Sequence, residues 1–503
     1  MLRTRGARVA VLDKMVDPAG FDPERAFLYN VDGRGQSTLR DIGCHSKLLE
    51  ESVSQLDFKI CIVSDADPPV SEPVSLPTVD VEQKARIPGQ WIPRNQLVAI
   101  LDDAVRATQA PGAHEGLRDE HPPIHTFYGF DLSSLELDEG TSWHVVACPS
   151  GDEGEPSAMT AQLIVGADGI RSRVRDELGR IARAEGIGRG AFRMRKRRSA
   201  SAGLRYKVLN LPPHFQLAKR ASAHAAPEIS YSIRCTPKAA RPVRCGLLPV
   251  RSDTAGRTAN FITRHEHPLW NADTPAALQA YLEEAFPHVP FDPDTIGTEE
   301  FKRFAAARGG HFPMPQHCSH AALVPEATHG AAAVLAGDSL HAFPPDLGQG
   351  VNAGLQDVQR LAAYLDEGRV RFGSQGAGST VPALADSVKR YGQERAREAA
   401  ALTRLVCLGY PFQYSQEGPF VKLKQLCWAA NLFLRLSLAK ALPAVFHPQI
   451  FTLIQNPELR YTEIARRADA TTVRIWAMVS LIAGALWCIL LRVGRGAAAG
   501  LGV

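Results

Sequence analysis

The nine cysteines of this 503-residue chain never stand as a Cys-x-x-Cys pair; they are scattered from Cys44 to Cys488. That excludes a zinc ribbon or a dense disulfide framework and fits a reducing compartment. Charge of one sign is also lacking. The 57 basic and 53 acidic residues leave +4, too weak a field to argue for a nucleic-acid partner. There is no internal repeat, no secretory signal, and no Ser-His-Asp or metal-ligand signature. What remains is ordinary globular material, 45% hydrophobic and 22% charged, and long enough for two sizeable lobes.

The most informative stretch is Ala333-Val-Leu-Ala-Gly-Asp-Ser-Leu-His-Ala-Phe-Pro-Pro-Asp-Leu-Gly-Gln-Gly-Val-Asn-Ala-Gly-Leu-Gln-Asp357. Residues 333–337 have strand character, and Asp338 follows at the strand's carboxyl end, where open α/β sheets bind ligands. Pro344-Pro345 forces an extended turn. Gly348-Gln349-Gly350 brings bare N–H groups to the start of a helix over 352–365. A second motif, Ala161-Gln-Leu-Ile-Val-Gly-Ala-Asp-Gly-Ile-Arg-Ser-Arg-Val-Arg175, reads as a strand, a tight Asp168-Gly169 turn and a helix capped by Ser172.

These motifs, in this order, resemble those of the FAD-dependent aromatic-ring monooxygenases. The resemblance implies that Asp338 binds the ribitol chain and that Gly348, Gln349, Gly350, Val351 and Asn352 line the isoalloxazine. Pro345 falls near its reacting edge, and Asp168 and Gly169 lie by the pyrophosphate. The segment Arg25-Ala-Phe-Leu-Tyr-Asn-Val-Asp-Gly-Arg-Gly35 is similar to the kynurenine 3-monooxygenase branch, with Arg25 opening an extended segment and Arg34-Gly35 starting a helix. Ile92-Pro-Arg-Asn-Gln-Leu97 fits the family's Arg-x-x-Leu helix start, so Arg94 is expected at the FAD phosphate and ribose. His341 is expected to be structural or flavin-adjacent. The implied activity inserts one oxygen atom of O2 into an electron-rich substrate, with FAD as cofactor and NAD(P)H as reductant.

Arg8-Val-Ala-Val-Leu-Asp13 reads as a buried strand ending in an acid, the type that holds a ribose hydroxyl in a Rossmann fold, so Asp13 is a cofactor candidate. The strand and Gly-x-Gly-x-x-Gly turn expected before it are not in this sequence. An incomplete gene model is the expected reason, and a flavin-deficient, membrane-tethered relative without enzymatic function the alternative. Fold and domains follow: α/β, a Rossmann-type FAD-binding domain over 1–198 and 321–368, a β-rich substrate domain over 199–320, and a helical extension over 369–470. The basic run Arg193-Met-Arg-Lys-Arg-Arg198 reads as a solvated loop.

Residues 475–491 carry no charge and span roughly 25 Å as a helix, close to the ~30 Å hydrocarbon core. A single-pass anchor over 471–495 is expected, with Trp476 and Trp487 near the interfaces. Arginine bias puts the catalytic side in the cytosol. The eukaryotic kynurenine enzymes point to the mitochondrial outer membrane as one location. Residues 423–442 are expected to lie on the membrane.

The substrate is less legible. No arginine falls where the kynurenine enzymes hold the substrate carboxylate; Lys59 stands nearest as a point charge. The turn Pro345-Asp-Leu-Gly348 also departs from that branch, and looks more like epoxidase-type relatives. Hydroxylation of an aromatic small molecule is expected first. Epoxidation or hydroxylation of a hydrophobic, membrane-dissolved substrate is the alternative.

Overall fold

The computed structural model describes residues 1–22, 24, 28–75, 87–109, 122–138, 142–151, 154–188, 190–239, 241–252, 256–325, 330–372, 377–414 and 420–500. The labelled strands are β1 (Val9–Asp13), β2 (Lys59–Val63), β3 (Ile124–Tyr128), β4 (Leu163–Gly166), β5 (Arg205–Leu211), β6 (Ser230–Arg234), β7 (Arg244–Leu247), β8 (Arg257–Thr263) and β9 (Ala332–Leu335). The labelled helices are α1 (Gly33–Asp41), α2 (Arg94–Ala107), α3 (Arg173–Ala184), α4 (Gly350–Glu367), α5 (Ala377–Gly409), α6 (Val421–Ala441) and α7 (Tyr461–Gly500).

The parallel layer comes in two pieces. β1 pairs with β3, and β4 pairs with β9, both in parallel. The apolar residues of β4 and β9 pack with α3, α4 and α5, in a core that includes Leu178, Val334, Leu335, Leu361 and Tyr391, whereas β1 and β3 carry no fully buried residue. The sequence motifs are laced together here. Arg175, buried in α3, donates from Nη1 to Ser339 O and from Nη2 to Ile170 O, 3.0 Å each. Ser339 Oγ donates to Gly166 O and, at 2.8 Å, to Ala336 O. The expected Ser172 cap forms, accepting from Arg175 N at 2.9 Å.

The middle of the chain builds a seven-stranded sheet. Its order is Gly310–His311, β5, β8, β7, β6, β2, Val74–Ser75. β2 and its neighbour come from the segment expected in the FAD-binding part; β2 runs parallel to β6, from Ile60 opposite Ser230 to Val63 opposite Ile233. β2 also pairs antiparallel with the local strand Val74–Ser75, so the long-range pairing with β6 is what joins this local pair to the sheet.

Strand periodicity divides the sheet's faces. Leu209, Tyr231, Ile233, Cys245, Leu247, Ala259 and Phe261 face one way, into a core with the helices Pro275–Ala285 and Thr298–Ala306. Ser230, Ser232, Arg234, Arg244, Gly246, Asn260 and Tyr206 share the other face. Ile60, Ile62, Val208 and Ile262 share it, so the face is mixed, with its polar groups gathered on β6 and β7.

Candidate functional site

The turn between β9 and α4 is held from within by a buried ion cluster. Asp357 in α4 is fully buried. Its Oδ2 accepts from Gly337 N and pairs with His341 Nε2, both at 2.8 Å. Its Oδ1 accepts from Arg395 Nε of α5 at 2.6 Å. Burial alone would raise the Asp357 pKa; the Arg395 charge, helped by His341 and the Gly337 N–H, outweighs it and holds the carboxyl below its usual value. His341 is therefore structural. Gly337 takes φ +60 beside Gly354, where added Cβ atoms would meet the opposing backbone at 3.4–4.0 Å. That close approach brings α4 against the turn.

The next turn faces two ways. The side chains of Gln349 and Asn352 point inward and are buried. Gln349 Nε2 donates to Asp32 Oδ2 at 3.0 Å, and Tyr461 Oη donates to Gln349 Oε1 at 2.9 Å. Asn352 bridges strand and turn, donating to Asn30 O at 2.8 Å and Gly348 O at 2.9 Å and accepting from Asp32 N at 3.0 Å. Pro345, Gly348 and Gly350 face outward. Cβ atoms built on Gly348 (φ +63) and Gly350 would meet nothing within 4 Å. This is a bare backbone surface at a helix start whose first N–H groups have no intrahelical acceptor.

Asp338 lies at the edge of this surface. Its residue surface is open to solvent, yet protein surrounds the carboxyl closely enough for burial to raise its pKa. An accessible acid in a recess reconciles the two. The Arg94 guanidinium, in the first turn of α2, reaches the Tyr29 hydroxyl, which also feels the Asp338 charge. Arg94 and Asp338 thus both lie near the Tyr29 hydroxyl. Asp168 is exposed and accepts from Val174 N at 3.0 Å; Gly169 follows at φ +82. Asp13 ends β1 and accepts from Met15 N at 2.8 Å. Arg25 lies outside the described residues. The residues present fit FAD: an accessible acid for a polyol, an arginine near it, and a glycine-bared helix start for a flat ring.

The comparisons with known proteins agree. Residues 314–404 match the model of the FAD binding domain family. A kynurenine 3-monooxygenase from Salinispora arenicola is 24% identical over 98% of this chain and 93% of its own length. Kynurenine 3-monooxygenase 2 from Aspergillus niger is 28% identical over 38% of this chain, a match that spans only 36% of that relative. Among solved structures, 2-methyl-3-hydroxypyridine-5-carboxylic acid oxygenase superposes with a TM-score of 0.54 at 17% identity, over 89% of this chain and 95% of its own. The chain thus carries an FAD binding domain match over residues 314–404 and is similar along its length to a kynurenine 3-monooxygenase, with the fold of an FAD-dependent oxygenase.

Against the polar groups of the large sheet stands a second cluster, built from residues that the motifs did not single out. Arg244 rises from β7 among those polar groups. It feels the phenols of Tyr410 and Tyr414, and burial lowers its pKa. No carboxylate among the described residues pairs with it. Tyr414 stacks near Phe312, ring centroids 5.4 Å apart. On the other side of Tyr414 sits Asp346, from the departing Pro-Asp-Leu turn, and it is 3% exposed. Gln413 Nε2 donates to its Oδ1 at 3.2 Å. Ser201 lies close enough to favour its charged form slightly, but Asp346 Oδ2 and Ser201 Oγ complete no hydrogen bond. Burial pushes the Asp346 pKa up to about 7. Lys59 does not join this group: it is exposed and next to Ile60, which pairs with Ser230, whereas Arg244 pairs with Arg234 at the far end of β6. Arg244 was hidden in the sequence because its strand, Arg-Cys-Gly-Leu, is short and carries no motif.

Among the described residues, one helix is a candidate for the expected anchor. α7 starts at Tyr461, and its stretch Tyr461–Leu491 is apolar enough to cross a membrane, with almost none of its best window buried. Trp476, Leu481 and Trp487 are among its exposed residues. The helix is long enough and bare enough for a membrane anchor.

Proposed function

We propose that this chain uses NAD(P)H and O2 to hydroxylate an aromatic small molecule that carries an anionic group, a reaction of the kind named for its kynurenine 3-monooxygenase relatives. The observation that carries this reading is Arg244: a guanidinium among the polar groups of the large sheet, flanked by Tyr410 and Tyr414, without a carboxylate partner among the described residues. Guanidinium forks suit carboxylates, and a charge this desolvated gains most from a ligand that supplies the missing partner. FAD, when bound, supplies the oxygen-activating redox chemistry.

Residue roles follow. Asp338 and Arg94 hold the polar chain of the cofactor, with Asp13, Arg25, Asp168 and Gly169 toward its adenosine end. The backbone of Gly348 to Asn352 holds its ring, and Pro345 sits beside the reacting edge. Arg244 and the tyrosines orient the substrate by its anion. Asp346, its pKa raised by burial to about 7, offers a hydrogen bond without adding negative charge where it is protonated. The rings of Phe312, Tyr410 and Tyr414 exclude water. α7 is a single-pass anchor with the catalytic side in the cytosol.

An alternative substrate is a hydrophobic molecule dissolved in the membrane. It draws support from Trp428 in α6, which packs against Tyr410 with ring centroids 5.3 Å apart, beneath the exposed Leu423, Leu426 and Phe433. The test is NADPH consumption by purified full-length protein, with L-kynurenine set against lipid-like candidates. Stimulation by kynurenine, lost in Arg244→Gln, is expected. Stimulation by the lipid-like compounds alone would replace the first reading with the second.

A further inference from the structure

Just before its apolar run, α7 borders an open cleft of about 440 Å³ lined by His447, Glu463, Arg466, Arg467, Ala470 and Arg474. The cleft lies apart from the flavin and substrate faces described above. Three guanidiniums meet one carboxylate there. Arg466 and Arg467 both bond Glu463, Nε to carboxylate oxygen at 2.8 Å each, and Arg474 bonds Val445 O. The balance is an excess of two positive charges, with the His447 imidazole beside them. Arg474 immediately precedes Ile475, the first residue of the uncharged stretch. At ~1.5 Å per residue, Arg467 stands only about 10 Å further along the axis. If the apolar run occupies the hydrocarbon core, the cleft sits at the level of the lipid headgroups. Its volume is more than ten times the ~30 Å³ share of one water, so it has room for a headgroup rather than a lone ion.

We propose that this cleft binds the phosphate of an anionic lipid headgroup. The inference rests on α7 being the membrane anchor. Guanidinium forks match phosphate oxygens, and basic recesses at the cytoplasmic end of a membrane helix select anionic headgroups. Glu463 holds Arg466 and Arg467 in place and tempers their charge. A bilayer lipid is favoured over soluble phosphate because the helix that forms the cleft continues directly into the apolar run.

The test uses full-length protein in phosphatidylcholine vesicles with and without phosphatidic acid, reading retained lipid by native mass spectrometry after mild detergent extraction. The wild type is expected to retain phosphatidic acid roughly thirtyfold over phosphatidylcholine, from about 1 kcal/mol for each of the two excess positive charges at a membrane surface. The triple variant R466Q/R467Q/R474Q should lose that preference, and Glu463→Gln should strengthen it. Unchanged preference in the triple variant would overturn the proposal. Equal protection by inorganic phosphate, in detergent without lipid, would overturn the lipid source and leave a soluble-phosphate site. Carbonate extraction reports the anchor separately. Protein released by carbonate refutes the anchor; protein retained, but with no preference for phosphatidic acid, refutes only the headgroup site.

Discussion

The two faces of the site treat buried charge in opposite ways. On the cofactor face, Asp357 is met by Arg395, His341 and Gly337 N, and Gln349 and Asn352 are tied to Asp32, Tyr461, Asn30 and Gly348. On the substrate face, Arg244 has no carboxylate among the described residues, and Asp346 Oδ2 and Ser201 Oγ are buried without a hydrogen bond. Buried polar groups are normally satisfied, and those that are not mark strain or a missing partner. Since His341 Nδ1 and Arg395 Nη2 also lack a hydrogen bond, the contrast lies in charge pairing: carboxylate and guanidinium meet within the protein on one face, and a guanidinium is left without a carboxylate on the other.

The comparison is broken most severely at Asp357. Asp357→Ala strands Arg395 in the core and should cost about 3–5 kcal/mol in denaturant unfolding, with loss of retained flavin. An unchanged midpoint would show that the cluster is not the scaffold. Asp346 should behave in the opposite sense to a paired carboxylate. Its folded pKa, about 7, lies above its unfolded value, so the folded state holds the proton more tightly. The resulting stabilisation is complete below about pH 4 and disappears as pH rises toward 7, a change of up to about 4 kcal/mol. Asp346→Asn should flatten that slope in pH-dependent unfolding; a wild-type profile without it would contradict the burial argument.

Arg244→Gln sharpens the contrast. It should leave the ligand-free stability unchanged or slightly raised, because it removes an unpaired charge. KM should rise roughly tenfold to a hundredfold, as for a lost charged hydrogen bond of about 1.5–3 kcal/mol, with kcat nearly kept. Comparable losses in kcat and KM would assign Arg244 to something other than substrate binding. The smallest effect belongs to Tyr461→Phe, which removes the bond from the first residue of α7 to Gln349. A loss of about 1 kcal/mol is expected in thermal unfolding, with somewhat weaker flavin retention.

The cofactor face was largely legible because its signals are local. Gly-Asp, Pro-Pro and Gly-Gln-Gly occupy 14 consecutive residues, 337–350, and their chemistry depends on neighbours in the chain. The Asp-Gly turn and the Ser172 cap are local in the same way. What holds that face was not legible: Asp357 meets Arg395 across 38 residues, and Gln349 meets Tyr461 across 112. The substrate face was read only as a region of strands. Its alternation gave a sheet with one mixed side, but Arg244 gains meaning only when α5's end brings Tyr410 and Tyr414 over β7. Asp346 was read only as part of a turn that departs from the kynurenine branch, and its hydrogen-bond partner Gln413 lies 67 residues away. Lys59 was the nearest cation to the expected place in sequence, while the register of β2 put it at the wrong end of the sheet.

The most direct test is the absorbance spectrum of purified full-length protein after reconstitution with FAD and removal of excess, measured for the wild type and Asp338→Ala. A flavin spectrum at close to one FAD per chain, sharply reduced in the variant, is the predicted result. No bound flavin in the wild type, or the same occupancy in the variant, would contradict the assignment of this face to the cofactor.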